Sequence, residues 1–90
     1  MLIKKTMKIN TEKVLFTQLG DEGVVYLIDT NEYLSLNETM YAILRGVEQG
    51  KDIPAIVDEL CATYTIDAPT CQTAVENSIQ VFFERQIVIE

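Results

Sequence analysis

The sequence contains no histidine and no tryptophan, and it has only two cysteines and two prolines among 90 residues. Histidine is the most common general acid or base in enzymes and a frequent zinc ligand, so its absence argues against both kinds of site. The cysteines, Cys61 and Cys71, are too far apart for a Cys-x-x-Cys motif. We expect no catalytic residue, no metal and no cofactor. The two thiols are either buried as small hydrophobes, joined in a disulfide or reactive.

Basic residues are also scarce, since 7 lysines and arginines oppose 14 aspartates and glutamates and give a net charge of -7. This surplus repels phosphate backbones and anionic lipid headgroups, which argues against nucleic-acid and membrane partners. The chain lacks both a run of about 18 apolar residues and an N-terminal apolar run of signal-peptide length. We therefore expect a cytoplasmic protein whose partners are neutral or basic.

Hydrophobic residues make up 48% of the chain, which is typical of a soluble globular protein. A chain of this length allows a single domain, residues 1–90, with one modest core. Residues 1–13 either add an N-terminal strand or are flexible, and the sequence leaves both possibilities open.

The first half of the chain is rich in strand-forming residues. Val14–Leu19 and Val24–Ile28 have this composition, and Gly20–Gly23 between them supplies the turn residues of a hairpin. A second polar turn, Asp29–Glu32, precedes a third strand, Tyr33–Leu36. The pattern predicts a three-stranded antiparallel meander.

Three helices are predicted in the second half. Asn37, Asp52 and Asp67 are good N-caps, and Gly50 is suited to end the first helix. After each cap, apolar residues recur at helical spacing. The three stripes are Met40, Ile43, Leu44 and Val47; Ile53, Ile56, Val57, Leu60 and Cys61; and Cys71, Val75, Ile79, Phe82 and Phe83 with Ser78 among them. The end of the chain, Ile87–Ile89, is expected to be an extended tail.

These parts predict an α+β fold of the winged helix-turn-helix-like type, with a three-stranded antiparallel sheet followed by three helices. Such folds often place the third helix in the DNA major groove. Here that helix carries Glu76 and Glu84 against Arg85 alone, with Asn77 and Gln80 as neutral base readers. A winged-helix DNA-binding regulator is one alternative function. A structural dimerisation module is another, because an edge strand can pair with a second copy of itself.

A set of weak motifs becomes specific when its members are taken together. They are the hairpin ending in Leu27-Ile28-Asp29, Tyr33 with Leu36-Asn37 at the entry to the first helix, the Gly50-Lys51-Asp52-Ile53 link, Ile56-Val57 before Leu60, and the Val75 to Phe83 stripe. In this combination the chain resembles the PqqD-like proteins, also called RiPP recognition elements, over about residues 14 to 89. It departs from the family pattern at Leu34, where a second aromatic residue is common, and at Ala68, which separates Asp67 from Pro69.

The resemblance implies a binding protein and not an enzyme. Such proteins bind the leader segment of a ribosomally synthesised precursor peptide as a strand added along the third strand and packed against the third helix. The residues expected to contact the peptide are Tyr33, Leu34, Ser35, Leu36, Ala74, Ser78 and Phe82. Ala74 and Phe82 fit plain core positions equally well.

The resemblance also implies a second partner, either a leader peptidase of the lasso-peptide kind or a radical-type modifying enzyme of quinone-cofactor biosynthesis. The sequence leaves both open. Acidic residues near the expected groove, Glu32 and Glu76, are suited to attract a basic leader peptide. The protein itself is expected to be a monomer or a strand-mediated dimer.

Overall fold

The computed structural model describes residues 7–90. They form five strands and three helices. In chain order these are β1 (Lys8–Ile9), β2 (Val14–Leu19), β3 (Glu22–Leu27), β4 (Glu32–Leu36), α1 (Glu38–Glu48), α2 (Ile53–Tyr64), α3 (Ala68–Glu84) and β5 (Val88–Ile89). The predicted α+β fold, an antiparallel three-stranded sheet followed by three helices, is confirmed.

The three-stranded sheet has the order β2-β3-β4, and both strand pairs are antiparallel. Its first turn is shorter than predicted, because Leu19 pairs with Glu22 and leaves only Gly20 and Asp21 in the loop. Gly23 belongs to β3 and faces the helices, where an added Cβ would lie 2.8 Å from Cδ1 of Tyr41. Gly23 therefore permits close packing of α1 on the sheet, whereas the positive φ of 63° at Gly20 makes the turn.

Each helix begins at the N-cap predicted for it. The Asn37 side chain accepts a hydrogen bond from the Met40 amide at 2.8 Å, and Asp52 accepts one from Ala55 at 3.0 Å. Asp67 accepts from both the amide and the hydroxyl of Thr70, and these bonds lower the pKa of its carboxyl group. These side chains satisfy amides that the first turn of a helix leaves without intrahelical partners.

The two ends of the described chain pair with each other, so the predicted extended tail is a strand and residues 8–9 form an N-terminal strand, one of the two possibilities left open for this region. β5 pairs antiparallel with β1, so that Lys8 lies opposite Ile89. Buried Asn10 secures this ribbon by donating its backbone N–H to the Ile87 carbonyl and its side-chain amide to the Gln86 carbonyl. The β1–β5 ribbon connects residues far apart in sequence, so no local sequence pattern predicts this pairing.

The core lies between the inner face of the three-stranded sheet and the helices, and it continues under the β1–β5 ribbon. Each predicted helical stripe contributes to it. The most deeply buried large side chains are Phe82, Leu36, Ile43, Leu44 and Ile87. The core therefore fixes the position of α3 relative to β4, the two elements expected to form the peptide site.

Candidate functional site

β4 is an edge strand. One side of it pairs with β3, and within residues 7–90 no strand pairs with its other side. An unpaired edge presents a row of backbone N–H and C=O groups that an extended peptide can pair with. The strand is short, from Glu32 to Leu36, which limits its own tendency to aggregate.

Side chains of β4 alternate between the two faces of the sheet. Leu34 is half-buried and Leu36 is only 2% exposed, and both pack with the core. Tyr33 and Ser35 are exposed on the opposite face, where Tyr33 retains 73% of its accessible surface. The four predicted contact residues on this strand thus divide into two pairs, one on each side of the backbone.

Tyr33 belongs to an aromatic pair on the outer face. Its ring lies opposite Tyr26 of β3, with ring centroids 4.8 Å apart and a tilted arrangement. The Tyr26 hydroxyl group in turn donates a hydrogen bond to the side-chain oxygen of Asn31, a turn residue whose own φ is 57°. This chain of contacts holds the Tyr33 ring beside the free edge of β4, although most of it remains open to solvent.

One face of α3 carries a line of accessible small and apolar side chains. Ala74, Ser78 and Val81 recur once per helical turn, and Arg85 continues the line at the C-cap. Ala74 is exposed, Ser78 is half-buried and Val81 retains 39% of its surface. Phe82 is fully buried, so its side chain is a core residue, which is one of the two readings that the sequence left open.

The end of this line meets the start of β4. Arg85 and Glu32 line the same cavity of about 240 Å³, with Leu27 and Val14 contributing apolar surface. At its rim, Lys13 forms an ion pair with Asp29 at 2.6 Å, which raises the pKa of the lysine. Arg85 has no ion-pair partner among residues 7–90. The cavity therefore joins the edge of the sheet to the α3 line.

The solvent side of α3 is acidic and amide-rich. Glu76 accepts from the Gln72 side chain at 3.4 Å, and Glu84 accepts from Gln80 at 3.5 Å, one turn apart in each case. These contacts are typical of a solvated helix surface. A phosphate-binding face would instead need several lysines or arginines.

Val81 and Arg85 were not among the peptide-contact residues predicted from the sequence. The predicted site continued the line from Ser78 to Phe82, whereas the structure exposes Val81 and buries Phe82. A helical projection of the sequence would have identified Val81 as an accessible residue, because Ala74, Ser78 and Val81 lie on one side of the buried stripe formed by Val75 and Ile79.

Two further properties bear on the kind of site. No helix within the described residues is long and apolar enough to cross a membrane. Residues 7–90 also contain no group of three or more cysteine, aspartate or glutamate side chains placed to hold a metal ion.

Comparisons with known proteins found a matching family and two similar solved structures. No match was found among curated proteins. One similar solved structure is described as TbiB1 in complex with the TbiA(beta) leader peptide; it has 27% sequence identity and a TM-score of 0.83, over 90% of this chain and 93% of that one. Another is lasso peptide synthetase B1 complexed with the leader peptide; it has 14% identity and a TM-score of 0.83, over 93% of this chain and 98% of that one.

The second of these structures, at its low identity, supports the fold alone, whereas the first also shares sequence. A family model, coenzyme PQQ synthesis protein D, matches residues 22–88. The match runs from the start of β3 into β5 and thus includes the free edge of β4 and all of α3. The chain therefore belongs to the PqqD family.

Proposed function

We propose that this protein binds the leader segment of a ribosomally synthesised precursor peptide as a strand added to β4. The observation that carries the proposal is the unpaired edge of β4, whose first residue, Glu32, lines one cavity with Arg85 at the end of the accessible α3 line. The leader peptide named in the similar structure with 27% identity supports it, as does membership of the PqqD family. We infer a binding protein and not a catalyst.

Main-chain hydrogen bonds to β4 supply general affinity, and side-chain contacts on both faces supply specificity. Peptide residues that point towards the helices contact Leu34 and the α3 line, and those that point outward contact Tyr33 and Ser35. Leu36 and Phe82 are almost fully buried and pack beneath the proposed peptide site.

The charge of the protein favours a basic leader peptide. Glu32 at the start of β4 and Glu76 on α3 are both exposed, and the chain carries a net charge of -7. Such a field increases the association rate of a cation and is screened by salt. A Glu32→Lys variant should therefore slow association at low salt, and an unchanged rate would contradict this role of Glu32.

The same charges disfavour the alternative of DNA binding. The exposed surface of α3 offers Glu76 and Glu84, and its one cation, Arg85, faces the cavity shared with β4. Nucleic-acid affinity depends on neutralising several phosphates. We infer that nucleic acid is not a partner.

The proposal is tested by titrating the isotope-labelled protein with synthetic leader peptides encoded by neighbouring reading frames, following amide chemical shifts. We expect the shifts to concentrate at residues 33–36 and along residues 74–82. Strand addition also predicts that N-methylation of the peptide backbone weakens binding at alternate positions, because only every second amide faces β4.

Two matched variants test the α3 line. Val81→Asp should weaken leader binding roughly tenfold, about 1.4 kcal/mol, while Gln80→Asp, one residue away on the solvent side, should leave affinity unchanged. Amide chemical-shift changes confined to other elements, or unchanged affinity after N-methylation at every peptide position, would contradict the proposal. Size measurements over a range of concentrations identify the dimerisation alternative.

We further propose that the bound peptide is delivered to a leader peptidase or a radical-type modifying enzyme in the cytoplasm, where precursor peptides are synthesised. The outer face of the sheet supports this step. Leu15, Tyr26 and Tyr33 form a cross-strand row, with Leu15 55% exposed. A strand added beside Tyr33 extends this row, so an enzyme docked there would contact protein and peptide together.

Delivery is tested with the precursor and the enzymes encoded beside this chain. Leu15→Glu should leave leader affinity unchanged but abolish stimulation of the partner enzyme. Ile66→Glu, which alters an exposed apolar residue on the turn between α2 and α3, is the control and should have no effect. The product distinguishes the partners, since a peptidase shortens the precursor and a radical enzyme modifies it. Full stimulation by Leu15→Glu would exclude this docking face.

A further inference from the structure

The two cysteines bracket the turn that joins α2 to α3. Cys61 lies in the last turn of α2, where its carbonyl accepts a hydrogen bond from the Thr65 amide at 3.2 Å. Cys71 lies in the first turn of α3, where its amide donates to the Asp67 carbonyl at 3.0 Å. Each cysteine is therefore one helical turn from the residue that caps its helix at the corner. The two cysteines thus lie at equal distances along the chain from the two ends of the turn.

Their side chains approach each other across the interface between α2 and α3. The Cys71 thiol donates to the Val57 carbonyl at 3.6 Å, and Val57 precedes Cys61 by one turn on the same face of α2. Burial, together with the neighbouring Cys61 thiol, raises the pKa of Cys71. Both thiols are free in this structure. The Cys71 side chain thus lies against the edge of α2 that carries Cys61.

The two thiols differ in access to solvent. Cys71 is 2% exposed, whereas Cys61 is only partly buried. A small oxidant can therefore reach Cys61, while Cys71 is accessible chiefly to its neighbour within the protein. This is the arrangement of an attacking cysteine and a resolving cysteine.

We propose that Cys61 and Cys71 are a redox modification site that closes into a reversible disulfide between α2 and α3. The Cys61 thiolate attacks a low-molecular-mass disulfide and forms a mixed disulfide, releasing one small thiolate. The Cys71 thiolate then attacks the Cys61 sulfur and displaces the second small thiolate. Two protein thiols are oxidised, their two protons pass to solvent or to the departing thiolates, and the small disulfide is reduced to two thiols.

The disulfide would stabilise the corner that positions α3. Closing the short loop between the helices lowers the entropy of the unfolded chain, so the oxidised protein should melt at a higher temperature than the reduced protein. The cross-link is one turn from Ala74, at the start of the line proposed to contact the peptide. The modification itself does not depend on peptide binding, so its test is independent of the proposed function.

The folded protein is incubated with oxidised glutathione, quenched with an alkylating reagent and analysed by mass spectrometry. We expect wild-type protein to lose both thiols and two hydrogens, to give a cross-linked peptide containing Cys61 and Cys71, and to show a higher melting temperature that falls again after reduction. In Cys71→Ala, the reaction should stop at a glutathione adduct on Cys61. In Cys61→Ser, Cys71 should remain unmodified while the protein is folded.

Three outcomes would overturn the inference. They are a glutathione adduct on wild-type Cys61 that persists without cross-linking, two thiols that remain unreacted, and a cross-link that forms only after denaturation. Thermal melts of the reduced variants show whether each one is folded. The wild-type experiment decides the matter even if Cys71→Ala does not fold.

Discussion

Val24 and Val25 are adjacent residues of the same type in β3, yet they have opposite environments. Val25 faces the helices and is fully buried, whereas Val24 lies on the outer face and is half-buried. The same contrast separates Leu36 from Tyr33 in β4, which are 2% and 73% exposed. The inner face of the sheet is packed against α1 and the core, and the outer face has no covering element among residues 7–90.

This difference separates two uses of apolar surface in a small domain. On the inner face, burial stabilises the fold by about 25 cal/mol for each Å² of apolar surface removed from water. On the outer face, Leu15 and Tyr33 remain exposed, so they contribute less to stability and are available to partners. Substitutions on the two faces should therefore have different consequences, and four predictions test this contrast.

The largest effect is expected for the matched pair in β3. Val25→Ala should lower the free energy of unfolding by about 2–3 kcal/mol, because it removes buried methyl groups and leaves a cavity. Val24→Ala should cost less than about 1 kcal/mol, since that side chain is already in partial contact with water. Urea denaturation measures both, and equal costs would contradict the assignment of the two faces.

Gly23→Ala tests how closely α1 approaches the inner face. The new methyl group would lie 2.8 Å from Cδ1 of Tyr41 and 3.2 Å from Cε1 of Phe16, so we expect a loss of about 1–2 kcal/mol from overpacking. Ser35→Ala, at an outward position of the neighbouring strand, is the control and should be nearly neutral. A Gly23→Ala protein as stable as wild type would show that α1 can shift without cost.

On the outer face, Tyr33→Ala should separate binding from folding. Loss of the contact with Tyr26 should change stability by less than about 1 kcal/mol. Leader affinity should fall roughly tenfold if Tyr33 forms one side of the peptide site. Leu15→Ala, on the same face but two strands from the free edge, should retain affinity in the same calorimetric titration; equal losses in both variants would argue against a site at β4.

Asp67 is an exception to the contrast between buried residues that stabilise the fold and exposed residues that do not. It is exposed and yet stabilises the fold through hydrogen bonds. The Thr70 hydroxyl and amide lower the pKa of its carboxyl group in the folded state. The stabilisation by the Asp67 carboxylate is therefore present at pH values above its pKa in the unfolded chain. It is lost as the pH falls through its pKa in the folded state. Asp67→Ala should lower the melting temperature modestly at neutral pH and have less effect in strong acid. A pH-independent difference would contradict the role of the charged cap.

Much of the local structure could be predicted because its causes are local. Asn37, Asp52 and Asp67 cap their helices through side-chain bonds within one turn, and the alternation in Tyr33–Leu36 assigns each side chain to a face. The candidate site was predicted less completely. Its predicted strand has a free edge, but the accessible Val81 was not predicted and Phe82 is buried, because a shift of one residue around a helix exchanges surface for core.

The sequence by itself determined the elements, their caps and the family features, because periodicity and capping depend on neighbours along the chain. Only the tertiary structure decided which contacts form between distant residues. It paired Lys8 with Ile89, made Gly23 a packing residue beside Tyr41, and brought Cys71 to the edge of α2 that carries Cys61. These contacts depend on how helices and sheet share one core, and the same packing leaves the edge of β4 and the Val81 side of α3 accessible.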